Sequence, residues 1–292
     1  MRALCIVNPG AGRRRPGAVS FPDAWKDIAP LLAAADFEIT IRETGQPHPT
    51  ATELATAAQQ DGFDAVLVAG GDGTVAAAAT ALINTPVVLG ILPFGSVMNI
   101  AHSIPLPLEP LEVARIIAAR RIRRVDVGEV AGRFFFEAAG VGLDADAFGA
   151  ARSAERGDMP RALARVRSAL RRESHWIGIA LDGRRPVRYR ALQILVTNGR
   201  YYAWSLPVVP DADIGDGVLD VAVFPRMGRL SLLRYLGTLA LRRRPATRPV
   251  LHRGREIRID AIEPLPVHAD NVVVGSLPAT FHCRHEALAI FA

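Results

Sequence analysis

The sequence predicts an α/β domain with a parallel sheet followed by a mainly antiparallel β-sandwich domain, and three observations carry that prediction. Apolar runs of strand length alternate with helix-length stretches over residues 1–122, the pattern of βαβ units joined by right-handed crossovers. From residue 123 onward the apolar runs stay short and are separated by Gly, Asp and Pro turns, as in antiparallel β domains. At 292 residues and 50% hydrophobic composition, the chain can furnish a core for each half. The domains are therefore expected at 1–122 and 123–292, and the last apolar run, residues 287–291, suits either.

Residues 2–8 read as a first strand that ends in the glycine loop Asn8-Pro9-Gly10-Ala11-Gly12. A helix over 22–35, a strand over 37–42 and a helix over 50–61 follow. Residues 64–69 give the strongest buried-strand signal in the chain and run into Gly70-Gly71. Thr74 stands where a helix N-cap belongs, and the alanine-rich residues 75–82 form a helix readily. A fourth strand over 87–92 ends at Pro93, and a helix over 108–119 leads to a basic patch at 120–124. Short strands are then expected at 125–130, 133–138, 177–181, 190–197, 218–224, 256–262 and 272–275.

Composition narrows the function classes. Of the 35 basic residues only Lys26 is lysine, so a lysine-based phosphate site is nearly excluded. The arginine excess suits anionic partners, and codon bias would produce it equally. With 6% aromatic residues and no nucleic-acid-binding module pattern, nucleic acid is not an expected partner. Cys5 and Cys283 read as free thiols in a reducing compartment. No run of about eighteen apolar residues marks a membrane span, and a cytoplasmic location is expected. Two basic amphipathic helices, over 161–172 and over 229–244 with Arg242-Arg243-Arg244 at its end, leave two readings open. Their apolar faces pack on the sheet, or they rest on an anionic membrane surface, each basic residue contributing about 1 kcal/mol.

The chemistry is expected at the third strand's C-terminal end. In Gly70-Gly71-Asp72-Gly73-Thr74 two glycines let the backbone approach a phosphate, and a helix opens whose N-terminus favours anions. Asn8-Pro9-Gly10-Ala11-Gly12 and Pro93-Phe94-Gly95-Ser96 add a second and a third loop at the same sheet edge, enough to surround a nucleotide. Neither the P-loop string nor a dinucleotide fingerprint after the first strand is present.

Together with Val125-Asp126-Val127-Gly128, Pro210-Asp211-Ala212 and Asp216-Gly217-Val218-Leu219-Asp220, these loops resemble the diacylglycerol kinase and sphingosine kinase catalytic family over nearly the whole chain, in particular its small bacterial lipid kinases. NAD kinases share the 70–74 loop. The resemblance implies ATP and Mg²⁺ as cofactors and a lipid as the phosphate acceptor, with peripheral contact to membrane; pairing with a second copy stays open. It implies nucleotide binding by Asn8, Pro9, Gly10, Gly12, Gly70, Gly71, Asp72, Gly73, Thr74, Gly95, Ser96 and Asn99. Asp72 and Asp126 would lie near the transferred phosphate and act through water and Mg²⁺. A structural Mg²⁺ would be held by Asp213, Asp216 and the Val218 carbonyl, a stretch that also reads as an Asp-Gly turn. Asp126 taken alone reads equally as a partner for Arg123 or Arg124.

Departures from the family pattern bear on activity. Ala76 and Ala77 stand where the family commonly has Asn and Glu, and Met98 stands where Asn would, displacing Asn99 by one. In place of the family's Asp-Gly-Glu, whose glutamate is thought to activate the lipid hydroxyl, the chain reads Asp270-Asn271-Val272. Asp270, two residues before the missing glutamate and so on the same strand face, is the expected substitute base, with His268 a further candidate. Three functions follow: an ATP-dependent lipid kinase, a silent nucleotide- or lipid-binding homologue, and an NAD kinase.

Overall fold

The computed structural model describes residues 1–11, 19–95, 98–104, 106–142, 160, 174–202, 206–207, 209–225, 234, 238, 249–270 and 272–292. The elements are β1 (Arg2–Val7), α1 (Phe21–Ala34), β2 (Glu38–Glu43), α2 (Ala51–Gln60), β3 (Ala65–Gly70), α3 (Asp72–Leu82), β4 (Val88–Pro93), α4 (Asn99–Ser103), α5 (Pro110–Ala118), β5 (Ile122–Val130), β6 (Arg133–Phe135), β7 (Ala138–Gly142), β8 (His175–Leu181), β9 (Val187–Thr197), β10 (Tyr201–Tyr202), β11 (Leu206–Pro207), β12 (Leu219–Pro225), β13 (Val250–Gly254), β14 (Glu256–Ala261), β15 (Pro266–Ala269), β16 (Val272–Ser276) and β17 (Ala279–Phe291). They fall into two compact units, Met1–Val127 with His285–Ala292, and Gly128–Arg284. β5 and β17 each contribute residues to both.

In the first unit the strands lie in the order β2-β1-β3-β4, all parallel, and β17 joins β4 in parallel at Ile290 opposite Leu89. β3 and β4 are buried along their whole length, which is why they read as unbroken apolar runs rather than alternating ones. The helices pack in two pairs, α1 with α5 and α2 with α3. α1 starts at Ser20, whose hydroxyl accepts from Asp23 N at 3.3 Å. At α2 the reciprocal bonds of Thr50 and Glu53 form a capping box. These caps satisfy amides that an α-helix leaves without internal acceptors.

The second unit is antiparallel. β9 pairs with β7, β8 and β12, β12 with β13, β14 with β8 and β17, and β15 with β7 and β16. Its main core gathers Phe135, Ile177, Ile179, Ile194, Val196, Val221, Ile257, Ile259 and Phe281. Leu195, between Ile194 and Val196 on β9, instead joins a smaller cluster with Val209, Ala212 and Ala222. Strand alternation thus gives this sheet apolar material on both faces. Gly128 faces Phe135 across the β5–β6 pair, and the Phe135 ring fills the space where a Cβ at Gly128 would stand.

The stretch 133–138, expected as one strand, is two: β6 and β7 are interrupted at Phe136 and Glu137. β13 and β15 had no counterpart in the sequence reading, because β13 is largely exposed and β15 is four residues long with Pro266 at its start. The expected helix over 161–172 lies outside the described residues, as does that over 229–244 except for Arg234 and Thr238.

Burial pushes the Cys5 thiol up to about 12, whereas Cys283 is only half-buried. Titration of the native protein with a chromogenic disulfide should therefore show one rapidly reacting thiol, and Cys283→Ser should abolish the rapid phase.

Candidate active site

The three glycine loops meet at the C-terminal ends of β1, β3 and β4, where ligands of parallel α/β sheets bind. Asn8 ties the first loop to the second. Its amide nitrogen Nδ2 donates to Thr74 Oγ1 at 2.9 Å, its Oδ1 accepts from Gly10 N at 2.9 Å, and its backbone N–H donates to Ala69 O at 2.9 Å. The third loop sits against the second: Phe94 N donates to Gly70 O at 3.2 Å. A Cβ on Gly95 would lie 2.5 Å from Gly71 Cα and 2.6 Å from Met98 Sδ, so backbone packs directly on backbone. Phe21, at the start of α1, meets the Phe94 ring edge-on at 5.6 Å and stacks on Trp25 at 5.1 Å.

α3 starts at Asp72 with Gly71 as its N-cap, so Thr74 is the third helical residue rather than the cap. No side chain caps this helix; Thr74 N bonds back to Gly71 O at 2.9 Å, which leaves the amides of Asp72 and Gly73 without an intrahelical acceptor. Gly73 is exposed, and a Cβ built on it would meet nothing within 4 Å. The result is a bare helix N-terminus with open space before it, suited to an anion. Gly12 and Ser96 lie outside the described residues.

Asp72 is spent largely on structure. Its carboxylate accepts from Asn99 N at 3.1 Å and Ile100 N at 3.0 Å, holding the first turn of α4, while Met98 just before it adopts a left-handed φ of 58°. Asn99 is buried. Burial raises the Asp72 pKa above its ordinary value, against the opposing pull of the Ile100, Asn99 and Met98 amides and His102.

The structure does not bring Asp126 to the 70–74 loop. Gly70 pairs with Pro93 at the C-terminal end of β4, whereas Asn84, in the turn before β4, donates to Ala287 O at 2.7 Å. Asp126 Oδ1 accepts from the neighbouring Glu286 N at 2.8 Å and meets His285 Nδ1 at 2.7 Å. Asp126 therefore stands beside the opposite end of the parallel strands, in a fully buried position. Arg124 donates to the Glu286 carbonyl at 2.7 Å, and Glu286 takes a φ of 49° to present both of its backbone groups.

Asp270 cannot stand in for the missing glutamate in the way strand alternation suggested. It lies in the turn between β15 and β16 with a φ of 41°, where strand parity does not apply. Its carboxylate accepts from three consecutive amides, Phe136 N at 2.8 Å, Glu137 N at 3.0 Å and Ala138 N at 3.2 Å. Oxygens engaged in this way are poorly placed to take a proton from a hydroxyl. Val272 is 42% exposed, and His268 is buried on β15. Asn271 lies outside the described residues.

The loop implied to hold a structural Mg²⁺ is organised otherwise. Asp213 Oδ1 accepts from Gly215 N at 3.0 Å and Asp216 Oδ1 from Val218 N at 3.2 Å. Asp216 Oδ2 is in an ion pair with Arg253 Nη2 at 2.8 Å, and Arg253 Nε meets Asp220 Oδ1 at 2.8 Å. Burial raises the Asp220 pKa, with Arg253 opposing, and the bond to Asp220 raises that of Arg253. Mg²⁺ needs oxygens arranged at about 2.1 Å, and here the Asp216 oxygens are committed to a guanidinium and an amide. The donor set is chemically suitable, but its arrangement does not fit the ion. Among the described residues no three His, Cys, Asp or Glu side chains form a metal cluster.

Sequence reasoning missed Arg253 and His285. Arg253 pairs with Asp220 through the β12–β13 register, and His285 meets Asp126 159 residues away. No local pattern announces either contact.

A parallel sheet whose strands end in three apposed glycine loops, beside an uncapped helix N-terminus, defines the class: an α/β domain of the kind that binds ligands at its strand C-termini, joined to an antiparallel β domain. Residues 2–130 match the family described as diacylglycerol kinase catalytic domain, and residues 138–292 match the YegS C-terminal NAD kinase beta sandwich-like domain. The chain belongs to the bacterial, YegS-like diacylglycerol kinase family, a family of phosphotransferases. Curated relatives include a diacylglycerol kinase of Staphylococcus saprophyticus, 25% identical with 99% of this chain and 95% of that one covered. Another, from Mycobacterium tuberculosis, is 26% identical with 84% and 82% covered. A diacylglycerol kinase structure from Bacillus anthracis str. Sterne superposes with a TM-score of 0.78 over 99% of this chain and 96% of that one, at 25% identity.

Two stability predictions follow from the carboxylates. Removing the Asp270 side chain strands three amides, so Asp270→Ala should cost about 3 kcal/mol in urea denaturation. Because burial raises the Asp72 pKa above its ordinary value in the folded state, Asp72 favours folding while protonated, and that contribution falls away as pH rises through the raised value. The stability gap between wild type and Asp72→Asn should thus narrow over that acid window, as read by urea denaturation at a series of pH values.

Proposed function

We propose that the protein is an ATP-dependent lipid kinase that transfers the γ-phosphate to a lipid hydroxyl, of diacylglycerol, a sphingoid base or a related lipid. The observation that carries this reading is the bare N-terminus of α3, with no side-chain cap and open space at Gly73, inside a chain of the diacylglycerol kinase family. In this reading the first-turn amides of α3 and the backbone of the 8–12 and 93–96 loops hold the nucleotide phosphates. Asn8 and Asp72 keep those loops in register. Phosphoryl transfer is chiefly positioning and charge neutralisation, and Mg²⁺ would arrive on the nucleotide, neutralising phosphate charge there.

A second reading has its own observation. The chain has valine at 272 and an Asp270 carboxylate already engaged by three amides, so no base of the family's kind is in place. Loss of a general base costs about 10²–10⁴ in rate. That leaves either slow transfer or a homologue that binds nucleotide and lipid without turnover. Among the described residues no helix is long and apolar enough to cross a membrane.

Incubation with ATP and Mg²⁺ across a panel of lipid hydroxyl acceptors and NAD tests the two readings together. Phosphorylation of a lipid supports the kinase. Saturable nucleotide binding with no product on any lipid supports the silent homologue, and transfer to NAD alone would overturn both. Gly73→Ala sharpens the test. The added methyl enters the space assigned to phosphate while improving helix propensity by about 0.5–1 kcal/mol. Its melting temperature should hold or rise while its affinity for ATP drops at least roughly tenfold; unchanged affinity would remove phosphate from this loop.

A further inference from the structure

The family resemblance implies a metal ion in the 210–220 loop, and the residues there are already joined by a cation of the protein's own. Arg253 reaches from β13 into this loop. Its Nη2 lies 2.8 Å from Asp216 Oδ2, its Nε lies 2.8 Å from Asp220 Oδ1, and weaker contacts of 3.5 Å run from Nη2 to Asp220 Oδ2 and to the Asp211 carbonyl. One planar guanidinium thus spans the loop at Asp211 and Asp216 and the strand at Asp220. We propose that Arg253 takes the place of the structural divalent cation in this protein, so that the 210–220 loop is held without metal.

Three observations support the assignment. Asp220 and Arg253 are direct cross-strand partners in the β12–β13 register, so the fold delivers the guanidinium to this position without any contribution from the loop. The Asp220 side chain is 6% exposed and that of Asp216 is 28% exposed; carboxylates so placed need a positive partner, and Arg253 supplies it to both. Finally, two further carboxylate oxygens are used within the loop, Asp213 Oδ1 by Gly215 N and Asp216 Oδ1 by Val218 N. A ligand set for Mg²⁺ would have to displace a bonded, permanently charged group whose planar fork matches carboxylates, and like-charge repulsion between the two cations opposes their sharing Asp216. The assignment concerns the second unit alone and does not depend on the kinase reading.

Thermal unfolding of the full chain without nucleotide tests it. Wild-type protein should melt within about 1 °C in EDTA and in millimolar Mg²⁺, since a ligand stabilises only a state that binds it. Arg253→Met, which keeps the length of the stem and removes the charge, should lower the melting temperature on the order of 5 °C. It should also make the protein responsive to Mg²⁺, because the uncovered Asp216 and Asp220 carboxylates can then take the ion. A wild-type melting temperature that falls in EDTA and recovers with Mg²⁺ would overturn the proposal. So would an Arg253→Met protein as stable as wild type and equally indifferent to Mg²⁺. Should Arg253→Met fail to fold, Mn²⁺ titration of the wild type followed by electron paramagnetic resonance decides. Absence of a bound signal before nucleotide is added supports the arginine, and one tightly bound ion lost on Asp216→Asn refutes it.

Discussion

The candidate site depends on the contact of two backbones. Gly71 and Gly95 approach so closely that a single methyl group on Gly95 would collide with the neighbouring main chain and with Met98. Around this contact the other tethers take hold: Asn8 reaching Thr74, Phe94 N reaching Gly70 O, and Asp72 holding the amides of Asn99 and Ile100. The first two each link two of the three loops, and the third links the second loop to α4. None of them needs a ligand, so the described parts of the loops are held by the protein's own bonds, and the entropy of ordering them is met by folding.

Four aspartates of this protein serve backbone amides. Asp72 holds the start of α4, Asp126 holds the bend of β17 at Glu286, and Asp270 gathers the amides of residues 136–138. Asp182 does the same for Arg255 N and Glu256 N. In each case a buried or turn-bound N–H that would otherwise cost free energy receives a charged acceptor. The arrangement explains why an aspartate can persist at such positions whether or not catalysis is retained. It also separates two properties that the motif joins, since the Asp is retained at 270 while the position two residues on is Val272.

The parts legible in the sequence are those governed by short-range rules. The buried runs of β3 and β4 and the string of glycines that follows β3 are local, and both appear within a residue or two of where they were expected. The helix expected over 50–61 is likewise present as α2, residues Ala51–Gln60. What the sequence did not disclose is set by pairing across long separations. Asp126 finds His285, Asp270 finds Phe136, and Asp220 finds Arg253. The parity argument for Asp270 failed for a specific reason, namely that a left-handed residue in a turn reorients the chain and cancels alternation. The role of Gly128 became visible only with the β5–β6 register that sets Phe135 upon it.

β17 has a consequence for synthesis. Its residues 285–292 complete the first unit after the whole of the second has been made, laying Ile290 beside Leu89 and covering Asp126. A ribosome-bound chain that has emitted residues 1–127 therefore carries an edge on β4 and a carboxylate still without its final partners. Domains of many proteins mature in the order in which they emerge; here the unit begun first closes last, and the long interval in between exposes an unpaired strand edge to whatever else can pair with it.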